Sequence, residues 1–150
     1  MLEINNPLSK LKEQLEDKST LKDFGINITQ GELVNENPNR APWLGIYTVK
    51  VSHNPESIGT SSRRWKGDIE LVLVVQAVSL KGGLDCYKLL EKYVKEVVSS
   101  VLGDTTFGNS IDLVESLDVD YSYNRTDSST LHFQEAYISL KVVTEHEDNC

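Results

Sequence analysis

The segment that most constrains this chain runs from Trp65 to Ser79. Within it Ile69, Leu71, Leu73, Val75 and Ala77 share one face of an extended backbone, while Val72, Val74 and Val78 share the other. A half-buried strand alternates apolar with polar residues, so apolar residues on both faces predict a central strand covered on both sides. Gly82-Gly83 then break the strand and open a helical pattern with Tyr87, Leu90, Val94, Val97 and Val101 on one face, joined by Leu89, Tyr93 and Val98. Gly103 ends it. A central strand cannot stand alone, and a helix with so broad an apolar face needs a sheet to pack on.

The remaining segments supply the neighbours. Pro7 followed by Leu8, Leu11 and Leu15 predicts a short amphipathic helix that covers a sheet edge or binds a neighbouring subunit. Phe24, Ile26 and Ile28 alternate before Gly31, which predicts a first strand from Phe24 to Val34. The prolines and asparagines of Asn35–Pro42 make a loop. Leu44–His53 reads as a half-buried strand with Tyr47, Val49 and Val51 on one face and Thr48, Lys50 and Ser52 on the other. The polar stretch Asn54–Arg64, which includes Ile58, is longer than a hairpin needs and marks a contact candidate. After the long helix comes a hairpin. Its first strand sends Ile111, Leu113, Leu117, Val119 and Tyr121 one way and Asp112, Ser116, Asp118, Asp120 and Ser122 the other, and Thr130–Thr144 returns with Ala136, Ile138, Leu140 and Val142 on one face. Residues 145–150 are expected to be too polar to pack. The reading is one domain, 1–150, with a helical segment 1–22, a sheet-and-helix core 23–144 and an acidic tail 145–150. Its class is α+β, a mostly antiparallel sheet with one long helix packed on it, in the order α-β-β-β-α-β-β.

Charge narrows the possible functions. The chain carries 15 Lys and Arg against 23 Asp and Glu, a formal net charge of −8, and nearly all of the excess falls after residue 104. A domain that grips nucleic acid by neutralising phosphates shows a basic face instead. Two cysteines, Cys86 in the helical pattern and Cys150 at the end, form no Cys-x-x-Cys pair, so reduced thiols are expected. The first residues lack a basic start followed by an apolar run, and the longest apolar run, Leu71–Val75, is far short of a membrane span.

Catalytic motifs are not found. The histidines are His53, His132 and His146, no Gly-x-Ser-x-Gly elbow is present, and Gly82-Gly83 lack the remainder of a phosphate-binding loop. Asp68 and Glu70 could be strand carboxylates of a metal-dependent nuclease, but the lysine-bearing second strand expected beside them is missing, since Val72–Ala77 is apolar apart from Gln76. The most suggestive ligand set is Asp118 and Asp120 with His132, which would meet if the hairpin turned about residues 126–127. A solvated acidic strand face accounts for these residues more simply. No cofactor, metal or enzymatic activity is expected. Arg63-Arg64-Trp65-Lys66 has the composition of an interface hot spot, and equally that of an exposed strand entry with Trp65 capping the core.

Trp65-Lys66-Gly67-Asp68-Ile69-Glu70-Leu71-Val72-Leu73, then Gly82-Gly83-Leu84-Asp85 opening the long helix, then Asp118-Val119-Asp120-Tyr121 and Phe133-Gln134-Glu135-Ala136-Tyr137-Ile138-Ser139-Leu140, together resemble the tail terminator proteins of long-tailed bacteriophages, over about residues 24–144. The resemblance implies a structural virion protein. It would form a ring, usually of six subunits, that closes the head-proximal end of the tail tube and docks the head connector or stopper protein. A head-side adaptor or stopper is the nearest alternative, and a small metal-dependent hydrolase a more distant one. The resemblance carries no catalytic residues. By position it makes Leu8, Leu11, Ile58, Arg63, Arg64 and Trp65 contact candidates. Asp112, Asp118 and Asp120 would be an acidic face lining a channel through which DNA passes without specific binding. The implied location is the head-tail junction of the virion, reached from the host cytoplasm, with no membrane step.

Overall fold

The computed structural model describes residues 5–31, 42–55, 63–108, 111–122 and 132–148. Helices α1 (Asn5–Glu16) and α2 (Ser19–Phe24) precede strands β1 (Asn27–Gln30), β2 (Trp43–Pro55) and β3 (Arg63–Ser79). Helix α3 (Gly83–Gly103) follows, then β4 (Leu113–Ser122) and β5 (His132–Asp148). The five strands form one sheet in the order β1-β2-β3-β5-β4. Only β1 and β2 run parallel; every other neighbouring pair is antiparallel. The class is therefore α+β as the sequence implies, with the expected strand at the centre and one long helix on the sheet.

All three helices contribute to one core on one face of that sheet. Leu8, Leu11, Leu15 and Leu21 come from α1 and α2, and Cys86, Leu90, Val94, Val97 and Val101 from α3. They pack with Ile69, Leu71, Leu73, Val75 and Ala77 of β3 and with Ala136, Ile138, Leu140 and Val142 of β5. Each large aliphatic side chain taken out of water here contributes roughly 1.5–3 kcal/mol of hydrophobic stabilisation. As expected, β3 is central and its second face is largely shielded too, although no helix among the described residues lies on that face. There Val74 and Gln76 are buried, while Val72 and Val78 are half-buried and Glu70 is exposed.

Three expectations change. Phe24 belongs to α2 and not to a strand, because Gly25 takes a left-handed conformation (φ 68°) and its N–H closes the helix on Lys22. Its ring packs on Tyr93, 5.1 Å between centroids. A bulge between Thr48 and Lys50 leaves Val49 unpaired and 55% exposed, so Leu44 and Ile46 share the core face with Val51, and Tyr47 does not. The acidic end is not a loose tail: β5 runs to Asp148 and pairs with the start of β3.

Side-chain hydrogen bonds fix the helices relative to one another. Gln14 Nε2 donates to the carbonyls of Ser100 (2.6 Å) and Asp104 (3.2 Å), two acceptors that the end of α3 leaves without helical partners. Thr20 donates to Glu96 at 2.9 Å, and Ser79 to Asp85 at 2.5 Å at the start of α3. Asp104 accepts from the Thr106 hydroxyl and from the N–H groups of Thr106 and Gly108, which holds its carboxyl below the usual range. Leu11→Ala is expected to lower unfolding free energy by about 2–5 kcal/mol in chemical denaturation. Leu84→Ala, at a side chain that is 69% exposed, should change it by no more than about 0.5 kcal/mol.

Candidate functional site

The sheet face away from the helices carries Asp68, Glu70, Asp118 and Asp120 of the residues singled out in the sequence. Register assigns this face in rows. Tyr47, Val72, Ser139 and Asp118 form one row, and Gly45, Val74, Tyr137 and Asp120 the next. Lys50, Glu70 and Lys141 form a third, so Glu70 has a lysine beside it on each neighbouring strand. Sequence order hides those lysines, because they lie on β2 and β5.

A polar network crosses the far end of the face. Gln76 Nε2 donates to Glu135 Oε2 at 3.0 Å and the Tyr137 hydroxyl donates to Glu135 Oε1 at 2.8 Å. Gln76 and Glu135 are both buried. Burial, reinforced by the adjacent Glu135 carboxylate, pushes the Tyr137 hydroxyl up to about 12. Sequence reasoning missed this network because Gln76 was only the polar exception in an apolar strand. Its signal was a glutamine at a position where every neighbour is aliphatic.

The sequence-derived contact candidates separate. Leu8 and Leu11 are corrected: both are buried in the chain's own core and offer no surface to a neighbour. Their helix covers β1 and meets α3, which takes up its single apolar stripe. Ile58 lies outside the described residues. Arg63, Arg64 and Trp65 open β3, so the connection from β2 is shortened to residues 56–62. The register sets Arg63 opposite Asp148, Arg64 opposite Glu147 and Lys66 opposite Glu145. The basic cluster and the acidic end are therefore matched across one ladder, and β4 and β1 do not extend alongside it.

The acidic face is corrected in part. Asp118 and Asp120 are exposed on the face away from the helices. A bulge between Val114 and Ser116 reverses the alternation, so Val114 joins Leu117 and Val119 against the core and Leu113 takes the face of Asp118 and Asp120. Asp112, one residue before Leu113, does not share that face. Its N–H bonds the Val143 carbonyl at 2.9 Å.

The ligand set of Asp118, Asp120 and His132 does not form. Asp120 stands opposite Tyr137, five residues along β5 from His132 or roughly 16 Å at ~3.3 Å per residue. A turn about residues 126–127 would set Asp120 opposite Phe133, and the register of the described pairs differs from that. His132 pairs with Ser79 on the core side, near the start of α3, and the aspartates are on the other side. Among the described residues no three His, Cys, Asp or Glu side chains converge on a possible metal position. Cys86 is a buried thiol whose Sγ lies 3.4 Å from the carbonyls of Ala77 and His132, and burial pushes it up. Cys150 lies outside the described residues. No described helix is long and apolar enough to cross a membrane. No protein-family model and no curated protein matches the sequence.

Two outcomes are expected. A tyrosine raised in the folded state favours folding in its protonated form, so its contribution is complete below the ordinary tyrosine range and is lost as pH rises from about 10 to about 12. Thermal unfolding of the native chain should weaken through that window, and Tyr137→Phe should flatten the decline. In the β3–β5 ladder, Glu147→Lys sets two cations opposite each other and should lower stability by ~0.2–1 kcal/mol. Adding Arg64→Glu to that variant should restore most of the loss, whereas Arg63→Glu with Arg64→Glu should destabilise the ladder.

Proposed function

We propose that this chain is a structural virion protein, the tail terminator of a long-tailed phage, forming a ring at the head-proximal end of the tail tube. The observation that carries the reading is the one-sided architecture: helices on one sheet face, both edges unpaired among the described residues, and acids gathered on one of them. A subunit of this shape can join others through its edges without disturbing its core. The resemblance in element order and in the residues of β3, α3, β4 and β5 supplies the specific role.

In this role the ring's partners are its own copies, probed below, the tail tube protein on one side and the head connector or stopper on the other. Asp118 and Asp120, exposed and without lysine or arginine on their own strand, would repel phosphate and let DNA pass without adhering. No catalytic step, metal or cofactor enters. The surface for tube and connector includes the region where β2, β3 and β5 extend beyond the other described strands.

Purified protein mixed with isolated tail tubes should produce a cap at one end in negative-stain micrographs and should make those tails competent to join filled heads. Tubes whose ends are unchanged, with joining unaffected by the protein, would contradict the assignment. Protein found on tail-less capsids would move it to the head side.

A further inference from the structure

We infer that the outer edge of β4 is the docking site for β1 of a second copy of this chain, so that one sheet continues head to tail into the next. The inference rests on the ring-forming reading and specifies the contact that makes the ring.

Strand β4 has ten residues and, among the described residues, pairs only with β5. Its outer row of N–H and C=O groups is a template for another strand. Long edges of this kind are normally protected by proline, charged side chains, bulges or a short span; β4 has no proline or lysine, and its protection is the bulge at Glu115 and its acids, which leave Leu117–Ser122 as a regular edge. It carries Glu115, Asp118 and Asp120, and its two ends expose Leu113 (46%) and Tyr121 (44%). The Tyr121 ring meets Tyr87 of α3 at 5.8 Å, next to the exposed Leu84, so an apolar rim continues from the edge onto the helix.

Charge selects the occupant. Pairing β4 with a second β4 about a two-fold axis sets these acids against the same acids, which is unfavourable in the central registers. The other edge, β1, reads Asn27-Ile28-Thr29-Gln30 and has no charged side chain. It pairs only with β2 among the described residues.

Strand direction and faces agree with that choice. β1, β2 and β5 run one way, and β3 and β4 the other. A copy displaced along the sheet with its helices on the same side therefore brings β1 antiparallel to β4, the commoner pairing. Asn27 and Thr29 share the face of Trp43 and Gly45, which is the face of Asp118 and Asp120. Ile28 shares the core face with Leu117 and Val119. Setting Asn27 opposite Asp120, Ile28 opposite Val119 and Thr29 opposite Asp118 places amide and hydroxyl donors beside carboxylates and isoleucine beside valine. The neighbour's α1, which lies over its own β1, would then extend the helical layer toward the half-buried Val114, Leu117 and Val119. Because the two surfaces differ, the contact is heterologous and closes into a ring when the rotation between copies closes.

The test is a cross-link in a Cys150→Ser background, leaving the buried Cys86 in place. Asn27→Cys with Asp120→Cys, both at exposed positions, should give a ladder of chain multiples on non-reducing gels after mild oxidation, and each single variant should give none. Dimers from Asp120→Cys alone would show β4 meeting β4 and overturn the inference. No ladder, in a protein that still sediments as an oligomer, would overturn this contact and leave the ring reading standing. A protein that sediments only as a monomer would overturn both. Should the double variant not fold, hydrogen exchange on the unaltered chain decides: residues 27–30 and 113–122 should gain protection together as concentration rises, and gain by neither would refute the contact.

Discussion

The antiparallel ladder between β3 and β5 is the constraint on which the rest of the structure depends. It pairs seventeen consecutive positions, from Arg63 with Asp148 to Ser79 with His132, without a register shift. Between these strands the chain builds α3 and β4, so the ladder closes a long loop before its contacts stabilise anything. Closure entropy grows slowly with length, and the long uninterrupted ladder, which includes β-branched Ile69, Val72, Val74, Val75, Ile138, Val142 and Val143, offsets it. Once the ladder stands, its inward rows form the platform for α3, β2 adds along one side and β4 along the other. The two edges left open among the described residues follow from this arrangement.

Much of this was legible in the sequence, for identifiable reasons. The two-faced apolar pattern of β3 could only belong to a central strand, and the stripe Leu90, Val94, Val97, Val101 could only lie on a sheet. Alternation failed where one residue broke parity. Val49 fits a β pattern as well as its neighbours do, and nothing in its type says that it is left unpaired. Glu115 likewise gives no sign that the aspartates on either side of it face differently. The end of α2 was misread because Phe24, Ile26 and Ile28 alternate across a helix terminus that only the left-handed Gly25 reveals.

The acidic end was harder still. Glu145, Glu147 and Asp148 look unpackable when read along the chain, because their cations lie some eighty positions earlier. Strand pairing supplies Lys66, Arg64 and Arg63 in the matching order. Charge that a sequence presents as a surplus at its end falls, by register, opposite positions of the other sign. The surplus left at the surface narrows to the edge strand β4, where Asp118 and Asp120 face away from the core. In the proposed ring the acids on that edge would disfavour pairing with an identical edge and would present negative charge to whatever passes the open face.

Self-association into a closed, defined ring is the central claim, and native mass measurement of the unaltered protein tests it most directly. The result expected is one dominant species at a fixed multiple of the 16.8 kDa chain, six being the number that the resemblance implies, with no series of longer polymers. A mass that stays at a single chain across the accessible concentration range would contradict the account.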